Sequence, residues 1–516
     1  MPPFKKICSL TEICTEWVWR WLNHCLNHQA PPRDRMRQRQ YVLSTLNPNI
    51  RQQLLNRIFN VDTRDVMLDS KCMLLEMLGD RSTQWVDLSR SGFGYIDEVF
   101  QFYRTLTLGL LINITRLGLI CNVKSKSDCK YLLDINNTFY RVLNQMRHLQ
   151  WVTLTGVGDR TILATLGANC YQLEHLDVSD SVKVDDEAVA ALLLKDPQSV
   201  EGLNLKQVIE QDLSKNPCCE TLSLVCVCGT QVSLKSTLFL LRCVPALTSF
   251  GGAVEDGSLC SVIELLQPDQ GVTKFKLNKF WDAKVLPTHA SLLNVACPKI
   301  TSVTTSVSSL PSLHFLYPIT SLTVDLNYLN CRNCANYIYN YLQVRGETLK
   351  DLLFTNSLNC FLDLAWLMEL TPNLERLESG LYIEEGYEIL GWKLLWDASV
   401  TVNSCEALLT LISHTPSLKN LSINFMPEPY TETFECINDE LVIKIISAGA
   451  LTRLQKLKIA ECAITVKGLN WLFLHCSELS YIAPLLFWKN ISQDDIQQLH
   501  LQAKQNNWEL KLVLRE

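Results

Sequence analysis

Several features of membrane, secreted and nucleic-acid-binding proteins are missing from this sequence. It contains no window of about 18 consecutive apolar residues, so we expect no transmembrane helix. Near the N-terminus, the stretch from Trp17 to Leu26 is interrupted by Arg20, Asn23 and His24, which is not the pattern of a secretory signal peptide. Lysine and arginine number 47 and aspartate and glutamate 53, so the basic excess typical of nucleic-acid-binding proteins is absent. These absences favour a cytoplasmic or nuclear protein without nucleic acid or membrane partners.

The common signatures of enzyme and metal sites are also missing. No G-x-x-x-x-G-K-[ST] phosphate-binding loop and no G-x-S-x-G nucleophile elbow occurs, and the nine histidines form no H-E-x-x-H motif. Cys331 and Cys334 form a C-x-x-C pair, but a structural zinc site needs four ligands. The nearest candidates, Cys297 and Cys360, are single and occupy positions of the repeat described below. The sequence therefore predicts neither an enzyme nor a bound metal or cofactor.

The 21 cysteines require a separate argument, because a disulfide-rich secreted domain is one interpretation of them. Their density in 516 residues is well below that of small disulfide scaffolds, and a chain of this length does not need such bonds to fold. We therefore expect most of them to be reduced and to act as small buried apolar residues.

What the sequence does contain is a recurring pattern, apolar-x-x-apolar-x-apolar. Its alternating end is typical of a strand with one buried face, and between copies lie stretches with apolar residues three and four apart, which is typical of helices. The clear copies are Leu149–Leu154, Leu173–Val178, Val200–Leu205, Cys219–Leu224, Val272–Leu277, Ile319–Val324, Leu349–Phe354, Leu418–Ile423 and Leu454–Ile459. Weaker copies are Leu247–Phe250, Ile300–Val303, Leu374–Leu377 and Leu479–Ile482, and the predicted helices include Asp186–Leu194, Ser258–Leu266, Cys405–Ser413 and Lys467–Cys476.

The spacing of these copies identifies the repeat class. Central residues at 152, 176 and 203 are about 24 to 27 residues apart, within the range of leucine-rich repeats. The sequence therefore predicts an α/β leucine-rich-repeat solenoid, a curved parallel sheet with outer helices, over residues 81–516. A helical segment over residues 1–80 precedes it. The shorter steps from 203 to 222 and from 303 to 322 predict units without a full helix, and residues 380–400 and 424–440 predict enlarged units. The insertion at 424–440 is interpreted either as a recognition element or as a surface loop.

Several units begin with a cysteine or threonine at the end of a helix. These residues are Cys170, Cys297, Cys476, Thr371 and Thr415. The pattern resembles the cysteine-containing repeats of ubiquitin ligase substrate receptors, in which a small residue is buried where helix turns into strand.

The N-terminal segment contains a second pattern. Ser9 and Glu12 have the spacing of a helix capping box, and Leu10, Cys14 and Val18 then form one narrow apolar stripe. Such a stripe is suited to the hydrophobic groove of a partner protein. The stretch resembles the elongin-BC box of cullin-RING ubiquitin ligase receptors.

In those receptors a cullin-contacting element, apolar-Pro-x-x-apolar-x-x-x-Leu-Leu, follows the box. This chain has a similar element, matched at Leu46, Ile50, Leu54 and Leu55. Asn47 occupies the expected proline position and Pro48 follows one place late. This departure leaves the identity of the cullin partner open. The order of box, cullin element and repeats is that of the Zyg-eleven and Zer-one family, which assembles with cullin-2. The chain departs from that family because it ends in repeats, at Trp508–Leu514, without an armadillo domain.

The resemblance implies a non-catalytic substrate-recognition subunit. Its partners would be elongin C, elongin B and cullin-2 with its RING subunit, and ubiquitin transfer would belong to the attached E2 enzyme. Its substrate would bind to polar positions of the strands, such as Glu174, His175, Asp177, Lys274 and Lys276. Two alternatives remain: a stand-alone repeat scaffold whose N-terminal helix only caps the solenoid, and an F-box-like adaptor that uses the Leu46–Ile58 helix.

Overall fold

The structure is a computed structural model that divides into two compact units. The first comprises Cys8–Asp282 and Leu292–Lys299, and the second comprises Met1–Ile7, Ala283–Ser291 and Ile300–Glu516. The described residues are 2–4, 17–18, 20–22, 32–60, 68–88, 102, 111–121, 139–251, 258–267, 274–282, 284–326, 334–355, 360–384, 389–426 and 437–514. The three helices described between residues 32 and 78 belong to the same unit as the strands that follow them. The domain boundary expected near residue 80 therefore stays a prediction.

Parallel strands, each paired with the next along the chain, form the first unit. They are β1 Trp85–Asp87, β2 Arg116–Ile120, β3 Trp151–Thr155, β4 His175–Asp177, β5 Leu224–Cys226, β6 Ser249–Gly251 and β7 Lys279–Trp281. One apolar residue of each strand lies in register with its neighbours and is at most 2% exposed: Val86, Leu117, Val152, Leu176, Val225, Phe250 and Phe280. This buried row forms the centre of the core.

The second unit repeats the same plan. Its strands are β8 Ser302–Ser306, β9 Ser321–Asp325, β10 Asp351–Thr355, β11 Phe361–Asp363, β12 Arg376–Tyr382, β13 Asp397–Val402, β14 Asn420–Phe425, β15 Lys456–Ile459, β16 Tyr481–Ala483 and β17 Lys511–Leu512. The central buried row is Val303, Leu322, Leu352, Leu377, Ala398, Leu421, Leu457, Ile482 and Leu512. Here β11 is an extra short strand that pairs with the end of β12.

Helices connect the strands in both units. In the first unit they are Pro32–Thr45, Pro48–Asn60, Leu68–Leu78, Arg160–Asn169, Asp186–Leu193, Leu205–Glu210, Leu234–Cys243 and Ser258–Leu265. In the second unit they are Leu310–Leu313, Cys334–Arg345, Leu364–Leu370, Cys405–Ser413, Asp439–Ser447, Val466–His475 and Gln493–Gln505, and Pro287–Ala296 contributes residues to both units. The repeated strand-and-helix unit confirms the α/β leucine-rich-repeat prediction. No described helix is long and apolar enough to cross a membrane.

Two predicted copies of the repeat between residues 200 and 224 are wrong. Leu203 and Leu205 belong to no strand, because a capping box between Asn204 and Gln207 starts the helix Leu205–Glu210 there. The next strand is shifted by three residues from Cys219–Leu224, since its buried central residue is Val225. A single enlarged repeat therefore joins β4 to β5 in place of the predicted ordinary repeat from 176 to 203 and short repeat from 203 to 222.

The copy predicted at Val272–Leu277 is also shifted. The strand is Lys279–Trp281, and the buried residues of this unit are Leu277, Phe280 and Asp282. Lys274 and Lys276 consequently lie before the strand, where both are exposed. The predicted short unit between β8 and β9 is confirmed, because a 3-10 turn and the four-residue helix Leu310–Leu313 replace the usual helix.

The cysteines and threonines at the ends of helices have the predicted position. Cys170, Cys476 and Thr371 are completely buried, and their backbone N–H groups donate to the last turn of the preceding helix. Thr371 also donates its hydroxyl to the carbonyl of Leu367 at 2.6 Å. Among the described cysteines, Cys405 is disulfide-bonded, which the expectation of reduced cysteines did not include.

Candidate functional site

The exposed face of each parallel sheet is built from the residues on either side of the central buried row, because side chains alternate along a strand. In the first unit, four of these residues lie in register on successive strands. They are Trp85, Arg116, Trp151 and His175. Trp85 and Trp151 are 48% and 39% exposed, which is unusual for tryptophan and typical of binding surfaces.

Three of these side chains contact one another. The Trp151 and His175 rings stack with centroids 3.7 Å apart and planes 9° from parallel. The Arg116 guanidinium lies 4.9 Å from the Trp151 ring centroid, and its Nη2 is 2.9 Å from Oδ2 of Asp87. We call Asp87, Arg116, Trp151 and His175 the tryptophan patch. Its members hold one another in place, so the patch presents a preorganised aromatic surface with charged edges.

His175 is the titratable centre of this patch. Burial lowers the pKa of its imidazole to about 4, and the positive charge of Arg116 lowers it further, while Asp177 opposes both. The imidazole is therefore neutral at physiological pH. Its Nδ1 atom is buried and has no hydrogen-bond partner among the described residues.

A pair of thiols continues this face beyond Asp177. The Asp177 carboxylate accepts hydrogen bonds from the Ser179 hydroxyl at 2.5 Å and from its N–H, and the Ser179 Oγ is 3.1 Å from Sγ of Cys226. The sulfurs of Cys226 and Cys228 are 3.5 Å apart. The hydrogen bond between the two thiols lowers the pKa of Cys226, against the opposite effect of burial. Cys226 is thus the more acidic thiol of the pair.

In the second unit, the strand face around β10 and β12 has paired charges. Nε of Arg376 is 2.6 Å from Oδ1 of Asp351 on the neighbouring strand, and Nζ of Lys350 is 2.8 Å from Oε1 of Glu375. The Asp351 carboxylate, with smaller effects of Asp397 and Glu375, raises the pKa of Arg376. The charges of this part of the face neutralise one another.

The strand face from β14 to β17 is different. Lys456, Tyr481 and Lys511 lie in register on three successive strands, and Lys458 lies two residues after Lys456 on the same face. The Nζ atoms of Lys458 and Lys511 are 5.9 and 5.5 Å from the Tyr481 ring centroid. We call these four residues the lysine patch.

Of the predicted elongin-binding residues, only Val18 lies within the described part of the chain; Ser9, Leu10 and Cys14 lie outside it. Val18 is part-exposed in a helical stretch whose Leu22 is completely buried. On the same stretch Trp17 and Trp21 are 73% and 40% exposed. The described end of the predicted box therefore presents two large aromatic side chains to solvent.

The predicted cullin-contact residues are only partly at the surface. Asn47 accepts a hydrogen bond from the N–H of Asn49 at 2.9 Å and so caps the helix Pro48–Asn60, with Pro48 in the first turn. This arrangement explains the late proline of the element. The matched residues divide into a part-exposed and a fully buried pair: Leu46 and Ile50 are part-exposed, and Leu54 and Leu55 are 0% exposed.

The same helix is attached to the first strand of the repeats. The amide of Gln52 accepts from the backbone N–H groups of Gln84 and Trp85 and donates to the carbonyl of Trp85. Arg51, which is 4% exposed, donates to the carbonyl of Leu46 at 2.7 Å and is paired with Asp80. The helix Pro48–Asn60 therefore contacts β1 and satisfies backbone groups of Gln84 and Trp85 at the start of the strand.

Among the predicted substrate-binding residues, the structure places His175 and Asp177 on the strand face and Glu174 just before it, exposed. Lys274 and Lys276 are not on a strand. Trp151 and Arg116 were missed, although Trp151 stands between two apolar residues of a copy that the pattern identified. Inspection of the x positions of every copy would have found Trp151.

The chain matches no family model and no curated protein sequence. Among solved structures, it is similar to the complex of Rad7 and Elc1 from yeast, with a TM-score of 0.42 and 11% identity over 90% of this chain and 96% of that chain. It is also similar to the leucine-rich repeat-containing protein LegL7 from Legionella pneumophila, with a TM-score of 0.27 and 11% identity over 60% of this chain and 88% of that one. Neither similarity bears on what this chain binds.

Proposed function

We propose that this chain is a non-catalytic substrate-recognition subunit of an elongin BC–cullin-RING ubiquitin ligase. The observation that carries the proposal is the four-residue spacing of Leu10, Cys14 and Val18 in the sequence, ahead of a leucine-rich-repeat fold. The exposed rings of Trp17 and Trp21 support it, because large aromatic surface left in water at the end of such a stripe is typical of a protein-binding segment. Elongin C, with elongin B, would occupy this segment.

The substrate would bind to the exposed strand face. The tryptophan patch has the composition of a binding hot spot, since Trp and Arg are enriched there and its geometry is fixed before binding. The function is therefore to hold a target protein while partner subunits supply ubiquitin chemistry.

A cullin contact through the second element would be limited to its exposed side. Leu46 and Ile50 have surface available for a partner, whereas Leu54 and Leu55 pack inside the chain. We therefore assign the proposed cullin-2 contact to Leu46, Ile50 and the neighbouring exposed positions of the helix.

A stand-alone repeat scaffold is the second candidate. The attachment of the helix Pro48–Asn60 to the edge of β1 favours it, because a helix that caps the repeats needs no cullin to explain its leucines. The two functions differ in whether elongins accompany the chain.

Affinity purification of the intact chain beside a Leu10→Ala/Cys14→Phe variant separates them. Elongins B and C are quantified in each sample, and Met36→Ala, an exposed apolar residue of the helix Pro32–Thr45, serves as the matched control. We expect elongins with the intact chain and the control but not with the double variant, and cullin-2 reduced by Ile50→Asp. Absence of elongins from the intact chain would leave the scaffold function.

A further inference from the structure

The lysine patch differs from the rest of the second-unit face in its charge balance. Around β10 and β12, the basic side chains of Arg376 and Lys350 are paired with carboxylates of neighbouring strands. From β14 to β17, the register neighbours of Lys456 are Asn420 and Tyr481, and the register neighbour of Lys511 is Tyr481. Neutral residues thus occupy the places where the other strands supply acids.

The described acidic side chains just before these strands form no ion pair with Lys456 or Lys511. The Glu478 carboxylate accepts a hydrogen bond from Gln455 at 2.9 Å, and Glu509 precedes β17 in the chain. Across the ranges that the structure describes, no carboxylate lies within ion-pair distance of Lys456 or Lys511. The positive charge of these two exposed lysines is therefore available to a partner.

Tyr481 stands between them and gives the patch a second recognition element. Its ring is part-exposed, with ammonium groups of two lysines within 6 Å of its centroid. An ammonium group over the face of an aromatic ring is attracted by the ring quadrupole, so the two lysines help to hold the ring in place. An extended chain that crosses these strands would meet charge, ring and charge in that order.

We propose that the lysine patch binds an acidic segment of a partner protein, with two carboxylates on Lys456 and Lys511 and the intervening residue over Tyr481. Two strand spacings separate the lysines by about 10 Å, which an extended peptide covers in about three residues. Aspartate or glutamate residues two or three positions apart therefore fit, because the lysine side chains reach over the remainder. This inference names the substrate class for the proposed function and rests on the strand face as a protein-binding surface, not on elongin.

An acidic protein segment fits better than nucleic acid. The chain as a whole has a net charge of −6, and Asp397 lies on the neighbouring strand of the same face, in register with Asn420. A phosphate backbone that extends beyond the patch would be repelled by Asp397 and by the net negative charge of the chain, whereas a short acidic peptide touches the patch alone.

The test is the binding of fluorescein-labelled decaglutamate to the intact purified chain, measured by fluorescence anisotropy at low and physiological salt. We expect binding that weakens with salt and falls about tenfold or more in a Lys456→Glu/Lys511→Glu variant. The matched control is Lys467→Glu/Lys504→Glu, which makes the same change of net charge at exposed helix positions of the same unit. Circular dichroism and thermal unfolding verify that each variant is folded.

Three results would overturn the proposal: no decaglutamate binding by the intact chain, equal loss in both double variants, or tighter binding of labelled oligothymidylate than of decaglutamate. The last would identify a nucleic-acid surface. Elongin recovery measured on the same variants keeps the two proposals apart. Loss of peptide binding in the Lys456→Glu/Lys511→Glu variant, with elongin still recovered, would support the patch proposal alone. Absence of elongin from every sample would refute the ligase function and leave the patch proposal unaffected.

Discussion

Protonation of His175 should destabilise the first unit as the pH falls from 6.5 to about 4. The folded chain holds the pKa of His175 near 4, whereas an unfolded histidine has its ordinary value of 6.5. Between these values the unfolded chain binds a proton that the folded chain does not, so the free energy of unfolding decreases as pH falls. The full shift corresponds to about 3 kcal/mol, and because the ring is only part-buried we expect about 1–2 kcal/mol.

The assay compares urea unfolding at pH 7 and pH 5, followed by tryptophan fluorescence, in the intact chain and in His175→Gln. Subtracting the pH dependence of the free energy of unfolding of His175→Gln from that of the intact chain removes the effect of other titrating groups. His148→Gln, a change at an exposed histidine, is the control. Proton NMR of the His175 ring gives its pKa directly. A ring that titrates near 6.5, or an equal loss of stability in His175→Gln, would refute the stacked and desolvated state of His175.

Two further predictions concern a thiol and a glycine. Cys226 should react with iodoacetamide at neutral pH, with a midpoint well below the 9.0 of an ordinary thiol, because its hydrogen bond with Cys228 lowers its pKa. The midpoint should move toward 9.0 in Cys228→Ala. Mass spectrometry of the labelled peptide measures this, and a midpoint near 9.0 in the intact chain would contradict it. Gly156→Ala should lower the free energy of unfolding by about 2–4 kcal/mol, because Gly156 has a φ of +80° and a Cβ there would lie 1.9 Å from the carbonyl oxygen of Cys121. Gly202→Ala, with a φ of +73° and open space, should cost only about 1 kcal/mol in the same denaturant titration, and equal costs would show that the close approach is wrong.

The repeats could be predicted where one apolar frame fits the strand. At Leu418–Ile423 only one such frame exists, and the buried central residue is Leu421, as expected. Between Cys219 and Val227 two overlapping frames satisfy the pattern, and the choice depends on the strand register with Leu176, about fifty residues away. A single sequence contains no measure of that pairing, so the frame was misassigned.

The candidate site shows the same limit. His175 and Asp177 were identified because they alternate with apolar residues in one copy. Their contacts with Trp151 and Arg116 depend on which strands are neighbours, so the patch could not be predicted as a unit. The burial of Leu54 depends on tertiary packing of its helix and was equally out of reach.

We propose that this chain is an elongin-binding substrate receptor. Calorimetric titration of the purified chain with purified elongin B–elongin C complex measures that binding. We predict saturable one-to-one binding by the intact chain and none by the folded Leu10→Ala/Cys14→Phe variant. No heat of binding with the intact chain, or equal binding by both proteins, would contradict the claim.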